Sequence, residues 1–327
     1  MTPQPHTSYP CILCHSNDTH ITQSVAKSDI TTLYQKAFGI DTQSLITSNL
    51  LFHHCNTCDL RFFTCEDGSI PTGDDAFYNT LNQLDWYYFS EKHEYHFAKK
   101  FIAKDSKVLE VGCGKAAFAH FLPQETKSHY VGLEFSTQAK QMAAKDGILI
   151  ENISVEEYAK SHAGHFDVAC SFQVLEHVAN PYAFIQAQVE CLKSDILRGG
   201  GGNKTPYLII AIPSENSFLQ YCVNGILNMP PHHISRFSDK TLQEIARIFK
   251  LKLLEIHHEQ VQPEHIDFYK ATMWAKLFLP TPLIDRGLAR KFINKIGIIG
   301  KSFIKIPHNA YGHTAVAVYT LDKSTLI

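Results

Sequence analysis

The sequence predicts an α/β protein in which a doubly wound parallel sheet follows a small N-terminal metal-binding domain. Three observations predict this. Val108-Leu109-Glu110-Val111-Gly112-Cys113-Gly114 is a β-branched apolar run that enters two glycines one residue apart. Strand-like and helix-like stretches alternate after it. Ahead of it lie two identical Cys-x-x-Cys pairs, Cys11-Ile-Leu-Cys14 and Cys55-Asn-Thr-Cys58. At 327 residues the chain has room for two domains.

Composition narrows the class. A hydrophobic fraction of 44% suits a globular protein with a full core. The net charge of −2 gives no general attraction to nucleic acid. Met1-Thr2-Pro3-Gln4-Pro5 has neither the basic nor the apolar region of a secretory signal. No apolar run is long enough to span a bilayer. The nine cysteines, an odd number, are expected as reduced thiols in the cytoplasm.

Residues 1–73 are read as a zinc-ribbon-like domain. Two thiolates two residues apart can grip one metal from a tight turn, and two such turns complete a tetrahedral S₄ set that suits zinc. Cys11, Cys14, Cys55 and Cys58 are the expected ligands. The gap between the pairs implies an excursion. A closed S₄ set leaves no open coordination position, so the metal is expected to be structural. A thioredoxin-like redox pair would need a βαβ context that is absent here.

Residues 74–104 form an aromatic linker, with Phe77, Tyr78, Trp86, Tyr87, Tyr88, Phe89, Tyr95 and Phe97. A helix from Glu91 to Ala103 leads into the first core strand. These aromatics either join the ribbon to the core or close over a ligand.

The core, 105–327, reads as strands at 107–111, 129–133, 147–151, 166–171, 206–212, 251–257 and 313–320. Helices are expected at 115–122, 136–145, 154–161, 181–193 and 239–249, the last capped by Ser238. The glycines at 199–202 predict a surface loop. Ligands of such a sheet bind at the carboxyl ends of its strands. Gly112, Gly114 and Ala117 fit G-x-G-x-x-G/A, which also describes dinucleotide sites. Glu134 ends the second strand, where a carboxylate can accept from both hydroxyls of a ribose.

A later phrase is more specific. Phe166-Asp167-Val168-Ala169-Cys170-Ser171-Phe172-Gln173-Val174-Leu175-Glu176-His177-Val178 is a strand followed by a Leu-Glu-His turn. With Glu-Val-Gly-Cys-Gly before it and Gly-Leu-Glu-Phe-Ser at 132–136, it resembles the class I S-adenosylmethionine-dependent methyltransferases. The resemblance covers about residues 95–260 and the last strand. It implies a Rossmann-like seven-stranded methyltransferase core and a methyltransferase activity (EC 2.1.1.-). One departure stands out: Lys115-Ala116-Ala117 occupies a place where relatives commonly carry another glycine. The ribbon-plus-core layout is similar to bacterial methyltransferases of sugar, antibiotic and cell-surface biosynthesis, and to some ribosomal RNA methyltransferases.

The resemblance implies a set of site residues. The backbone at Gly112, Cys113 and Gly114 approaches the methionyl part of the cofactor, and Glu110 braces that turn. Glu134 holds the ribose, Phe135 flanks the adenine, and the 152–155 turn, with Ser154, reaches the adenine edge. Phe172 and Gln173 lie near the reacting centre. Pro230-Pro231-His232-His233 falls in a loop over the pocket, and His233 to Ser238 matches a His-x-x-x-Phe-Ser pattern of similar enzymes. His232 and His233 are candidate general bases, needed for a hydroxyl or acidic carbon acceptor. His177 is a third candidate.

Residues 276–305 carry seven Lys or Arg and one acid, Asp285. Ile284, Leu288, Phe292, Ile296, Ile299 and Phe303 keep near-helical spacing. This basic amphipathic insertion, set within 262–310, reads as a packed cap, a peripheral membrane contact or a phosphate-binding element. Gly287, Gly297 and Gly300 argue against a stable helix there.

The leading expectation is a methyltransferase of a small biosynthetic metabolite, such as a sugar nucleotide or another phosphorylated intermediate. The alternatives are an RNA methyltransferase that holds RNA with its ribbon, and a non-catalytic cofactor-binding scaffold. The acceptor, its reacting atom and the oligomeric state are not written in the sequence.

Overall fold

The computed structural model describes residues 9–81, 83–84, 91–193 and 205–322. Trp86, Tyr87, Tyr88 and Phe89 and the glycine run at 199–202 lie outside the described residues.

The N-terminal unit is an antiparallel meander. Strand β1 (Thr19–Val25) pairs with β2 (Leu50–Cys55), which pairs with β3 (Arg61–Cys65). The excursion between the cysteine pairs contains helix α1 (Lys27–Phe38). Gly39 ends it in the left-handed region at φ 69°, donating to the Gln35 carbonyl. The helix buries Ile30 and Tyr34. The Tyr34 hydroxyl donates to the carbonyls of Ile226 and Met229, at 3.0 and 3.1 Å. It thereby tethers the N-terminal unit to the loop before His232.

Helix α2 (Asp75–Leu81) and helix α3 (His93–Ala98) follow. The helix expected over 91–103 is realised as α3 with a single 3₁₀ turn at Lys99–Phe101.

The core runs β4 (Val108–Val111), α4 (Gln124–Lys127), β5 (Tyr130–Leu133), α5 (Thr137–Lys145), β6 (Leu149–Glu151), α6 (Val155–His162), β7 (Val168–Phe172), α7 (Pro181–Cys191), β8 (Tyr207–Pro213), β9 (Ser235–Arg236), α8 (Asp239–Ile248), β10 (Leu251–Gln260), α9 (Ile266–Lys276), α10 (Leu288–Gly300) and β11 (Tyr311–Leu321). Seven strands form one sheet in the order β10-β11-β8-β7-β4-β5-β6. The β4, β5, β6, β7 and β8 pairings are parallel, and β11 runs antiparallel to both neighbours. This is the Rossmann-like methyltransferase fold that the sequence predicts. The reversal of β11 brings its first residues, His313 and Thr314, to the sheet end where β4 and β7 finish: Thr314 sits opposite Pro213, the last residue of β8.

Helix starts follow the side chains expected of caps. Ser136, Ser154, Asn180 and Ser238 accept from backbone amides of the first turns of α5, α6, α7 and α8. The helix predicted at 115–122 is different. Ala116 lies in the left-handed region at φ 55°, and the chain continues as 3₁₀ turns at Ala117–Phe121. Pro123 follows at once and closes off a longer helix.

The two units share structure. The two-residue β9 adds to β3, extending the N-terminal sheet to β1-β2-β3-β9. Cys11, Leu13 and Phe62 are buried in the same apolar cluster as Leu109, Ile185 and Phe237.

The basic insertion is a pair of helices. Gly297 and Gly300 of α10 face Trp274 of α9, and a Cβ at Gly300 would lie 2.3 Å from the indole. The glycines expected to weaken this helix are where the two helices meet. Arg290 is buried and hydrogen-bonded to the Pro280 carbonyl. Among the described residues, no helix is long and apolar enough to cross a membrane.

Candidate functional site

The carboxyl ends of β4, β5 and β7 open into a cleft of about 1990 Å³. Twelve of the residues singled out in the sequence for cofactor or acceptor lie on its wall: Glu110, Gly112, Cys113, Gly114, Glu134, Phe135, Ser154, Phe172, Gln173, His177, His232 and His233.

The glycine turn is built from conformations that a side chain would oppose. Gly112 has φ 70° and Gly114 has φ 52°. A Cβ on Gly112 would lie 2.5 Å from Val174 Cγ2. Glu134 closes the turn from the next strand: its Oε2 accepts from the Gly114 amide at 3.0 Å and its Oε1 from the Ser136 amide at 3.0 Å. Each carboxylate oxygen keeps accepting capacity for a ligand hydroxyl. Asn152 donates to the Glu134 carbonyl at 2.7 Å and ties the 152–155 turn to this strand tip. A backbone cradle beside a carboxylate with accepting capacity to spare fits a nucleoside cofactor.

The side chains around the turn differ in how they are held. Phe135 is 70% exposed on the rim. The Ser154 hydroxyl is engaged as the α6 cap. The Cys113 thiol is buried over Gly132, where a Cβ would come within 2.5 Å of its sulfur, and burial pushes that thiol up. Glu110 is buried, and the Tyr130 hydroxyl donates to its Oε2 at 2.5 Å. Burial raises this carboxyl from its usual 4.5 to about 8. Phe172 is packed between Tyr95 and Phe118. Gln173 leaves β7 at φ 58°, a conformation rare outside glycine, and its side-chain amide donates to the Thr314 hydroxyl at 3.3 Å.

The three histidines meet on one side of the cleft. Their rings are 4.5 to 4.9 Å apart, His232 stacked on His233 and His177 edge-on to both. His177 Nδ1 bonds to the His232 carbonyl at 2.6 Å, and His232 Nδ1 to the Leu227 carbonyl at 2.8 Å. His233 Nδ1 bonds to Asn228 Oδ1 at 3.1 Å. All three acceptors are oxygens, so each Nδ1 carries the proton of a neutral ring. Burial lowers His177 to about 4 and pushes His232 and His233 well down.

Several cleft residues escaped the sequence reading. Glu176, beside His177, is fully buried. Glu259 of β10 accepts from the Thr314 amide at 2.9 Å and is raised to about 7 by burial. His313 and Thr314 come from near the start of β11. Only the Leu-Glu-His phrase gave a sequence signal, for Glu176. The others depend on the antiparallel return of β11.

The four cysteines of the two pairs converge. Cys11 and Cys58 sulfurs are 3.5 Å apart, Cys14 and Cys55 sulfurs 3.6 Å, and all four lie within 4.8 Å of one another. A tetrahedral thiolate site with metal–sulfur bonds of about 2.3 Å would space sulfurs by roughly 3.8 Å. The two turns are alike in backbone. The His15 amide donates to the Cys11 carbonyl and the Asp59 amide to the Cys55 carbonyl, with His15 and Asp59 at φ 59° and 65°. The donor set fits one tetrahedral metal ion. Asp59 also receives the Ser238 hydroxyl at 2.5 Å, linking this cluster to the α8 cap.

Residues 84–199 match the family model described as a methyltransferase domain. A ubiquinone biosynthesis O-methyltransferase of Escherichia coli O7:K1 is 33% identical over 119 residues, covering 35% of this chain and 46% of that protein. The chain thus matches less than half the length of these curated relatives. A S-adenosylmethionine-dependent methyltransferase of Archaeoglobus fulgidus aligns at 14% identity and a TM-score of 0.42, covering 70% of this chain and 100% of the other. A possible histamine N-methyltransferase of Thermotoga maritima aligns at 18% identity and a TM-score of 0.43, covering 70% and 88%.

Proposed function

Starting from its membership of the class I S-adenosylmethionine-dependent methyltransferases, we propose that this chain transfers a methyl group to an oxygen of a small biosynthetic metabolite. The observation that carries the reading is the Glu134 carboxylate, bonded to the Gly114 amide at the mouth of the cleft, across from the histidine cluster. When bound, S-adenosylmethionine supplies an activated methyl on a sulfonium. The chain's own residues hold and orient. The backbone at Gly112 to Gly114 would receive the methionyl end, Glu134 would accept from the ribose hydroxyls, Phe135 would flank the adenine, and the turn at Ser154 would border it. Phe172 and Gln173 line the reacting end. Alignment of the two reactants is the main demand of an in-line displacement.

The acceptor lies on the histidine side. His177 and His233 each have an unprotonated ring nitrogen, so each can take a hydrogen bond or a proton from an acceptor hydroxyl, with His232 stacked beside them. The curated relatives are named as O-methyltransferases, which favours an oxygen acceptor. A sugar nucleotide or another phosphorylated intermediate remains the substrate class we propose.

The cysteine cluster is proposed as a structural zinc site. The basic insertion does not favour RNA. Arg286, Arg290 and Lys301 pair with Asp29, Asp285 and Asp267, and Lys276 lies over the Tyr221 ring. Lys291, Lys295 and Lys305 lie instead among exposed apolar side chains. We propose an anionic bilayer surface as the partner of that face.

Calorimetric titration with S-adenosylhomocysteine tests the cofactor. Binding by the wild type that Glu134→Ala weakens at least tenfold is expected. No binding by folded wild-type protein would overturn the methyltransferase reading. Labelled S-adenosylmethionine with panels of hydroxylated metabolites then tests the acceptor class.

A further inference from the structure

The three histidines are more than a set of candidate bases. Their proton-bearing Nδ1 atoms all point to oxygens of the surrounding chain: two backbone carbonyls and the Asn228 amide oxygen. For His177 and His233 this is how a protein fixes the tautomer and orientation of metal-ligating imidazoles, with the other nitrogen turned to the ion. One ring nitrogen from each of His177, His232 and His233 lies within 4.8 Å of one from each of the others.

Glu176 gives an independent pointer. It is 1% exposed, and among the described residues neither carboxyl oxygen has a hydrogen-bond partner. A buried polar group without a partner is costly. Its Oε1 lies 3.8 Å from His177 Nε2 and 4.0 Å from His233 Nε2. Those distances are too long for direct bonds. They leave space between the carboxylate and the two imidazoles.

We propose that His177, His233 and Glu176, with His232 beside them, hold a divalent first-row transition-metal ion in the acceptor side of the cleft. Imidazole nitrogens with one carboxylate oxygen suit zinc, iron, cobalt or nickel rather than magnesium or calcium. The site is separate from the cysteine cluster in donors: its ligands are nitrogen and oxygen, not sulfur. It also deepens the methyltransferase reading and rests on it for its role. A cation there would bind the acceptor through oxygen and so select substrates that present a hydroxyl, enol or carbonyl oxygen to the metal.

The placement follows from the fold. The turn Leu175–His177 after β7 supplies two donors. The His232-His233 pair is held over them because Ile234 donates from its amide to the Glu176 carbonyl at 2.8 Å. Phe63 of β3 in turn donates to the Ile234 carbonyl at 2.9 Å. The N-terminal sheet therefore braces the segment that completes the site.

The test is cobalt substitution of full-length protein stripped with a chelator, with metal per chain counted by elemental analysis. Cobalt in the cysteine cluster gives a thiolate charge-transfer band, and cobalt held by nitrogen and oxygen does not. The wild type is expected to take up one equivalent beyond that reported by the thiolate band. His233→Ala and the milder Glu176→Gln should each lose that extra equivalent, or weaken it at least tenfold, with the thiolate band intact. Wild-type protein that binds only the thiolate equivalent would overturn the proposal, as would variants that keep the extra one. S-adenosylhomocysteine binding, measured on the same samples, reports the other reading separately. Its retention in both variants shows that the domain is folded, and its absence from the wild type bears on the cofactor rather than on the metal.

Discussion

The Tyr130 hydroxyl donates to the Glu110 carboxyl at 2.5 Å, joining neighbouring strands two residues before the glycine turn. Glu110 and Gly132 are register partners in the β4–β5 pair, so Tyr130 reaches Glu110 diagonally, along the same face. A glycine at 132 gives the room: a Cβ there would sit 3.2 Å from the tyrosine oxygen and 2.5 Å from the Cys113 sulfur.

Stability should therefore depend on pH through Glu110. Burial raises its carboxyl from 4.5 to about 8, so the folded protein holds a proton that the unfolded chain releases at lower pH. The sign follows: this contribution is fully present below about pH 4.5 and is lost as pH rises through about 8. Glu176 and Glu259 act in the same direction, so the informative quantity is a difference. Glu110→Gln keeps an oxygen acceptor for Tyr130 and cannot ionise. Denaturant midpoints measured between about pH 5 and about pH 8.5 should fall more steeply for the wild type than for this variant. Parallel curves would contradict the assignment.

Gly112→Ala should damage both folding and cofactor binding. The residue sits at φ 70°, and its added methyl would press on Val174. The left-handed conformation alone costs a non-glycine residue about 1–2 kcal/mol. Gly147 provides the control, with φ 69° and nothing among the described residues within 4 Å of an added Cβ. Both alanine variants should lower the unfolding free energy, and Gly112→Ala should lose more. Only Gly112→Ala should also weaken S-adenosylhomocysteine. Equal effects of the two on binding would mean that the turn does not contact the cofactor.

Much of this site was legible because the signals are local. A Gly-x-Gly turn, an acid at the next strand tip and a Cys-x-x-Cys pair each occupy a few consecutive residues; Glu134 meets the Gly114 amide in the cleft, and the four cysteines gather in a cluster of their own. What was not legible is non-local. Nothing in Ser235-Arg236 signals a strand, because its pairing is with Arg61 and Phe62. Glu259, His313 and Thr314 reach the cleft only because β11 runs backwards between β8 and β10. Gly297 and Gly300 read as helix breakers until Trp274 is seen to occupy the space where their side chains would be. At 115–122 the strand–helix alternation suggested a helix, and the left-handed Ala116 leads the chain into 3₁₀ geometry.

Removing metal from the cysteine cluster should be felt at the histidines. Asp59 in the second cysteine turn takes the Ser238 hydroxyl, and β3 pairs with β9 three residues past His232. Cys58→Ser is expected to lose zinc and to lower the thermal midpoint, because a structural metal contributes folding energy directly. Amide exchange should then rise in the 232–238 segment as well as in β2 and β3. Faster exchange confined to residues before 66 would show that the two units fold independently.

The outer face of α10 should bind anionic membranes. Leu288, Phe292 and Ile299 lie on one side of the helix, opposite the Arg290, Gly297 and Gly300 face that meets the rest of the protein, and Phe303 is exposed in the 3₁₀ turn that follows. Leu288 is 83% exposed and Phe303 77%. Lys295 falls within the same stripe and Lys291 beside it, so apolar insertion and attraction to anionic headgroups would act together. Burying one large apolar side chain is worth about 1.5–3 kcal/mol, so Phe292→Asp with Phe303→Asp should reduce vesicle binding at least tenfold. Co-sedimentation with phosphatidylglycerol vesicles reads this directly. Phosphatidylcholine vesicles should bind less, and added salt should narrow the difference by screening the lysines. Neither substitution touches the cleft, so cofactor binding should stay at the wild-type level. Equal sedimentation of wild type and variant, or none by either, would leave the exposed stripe to a different partner.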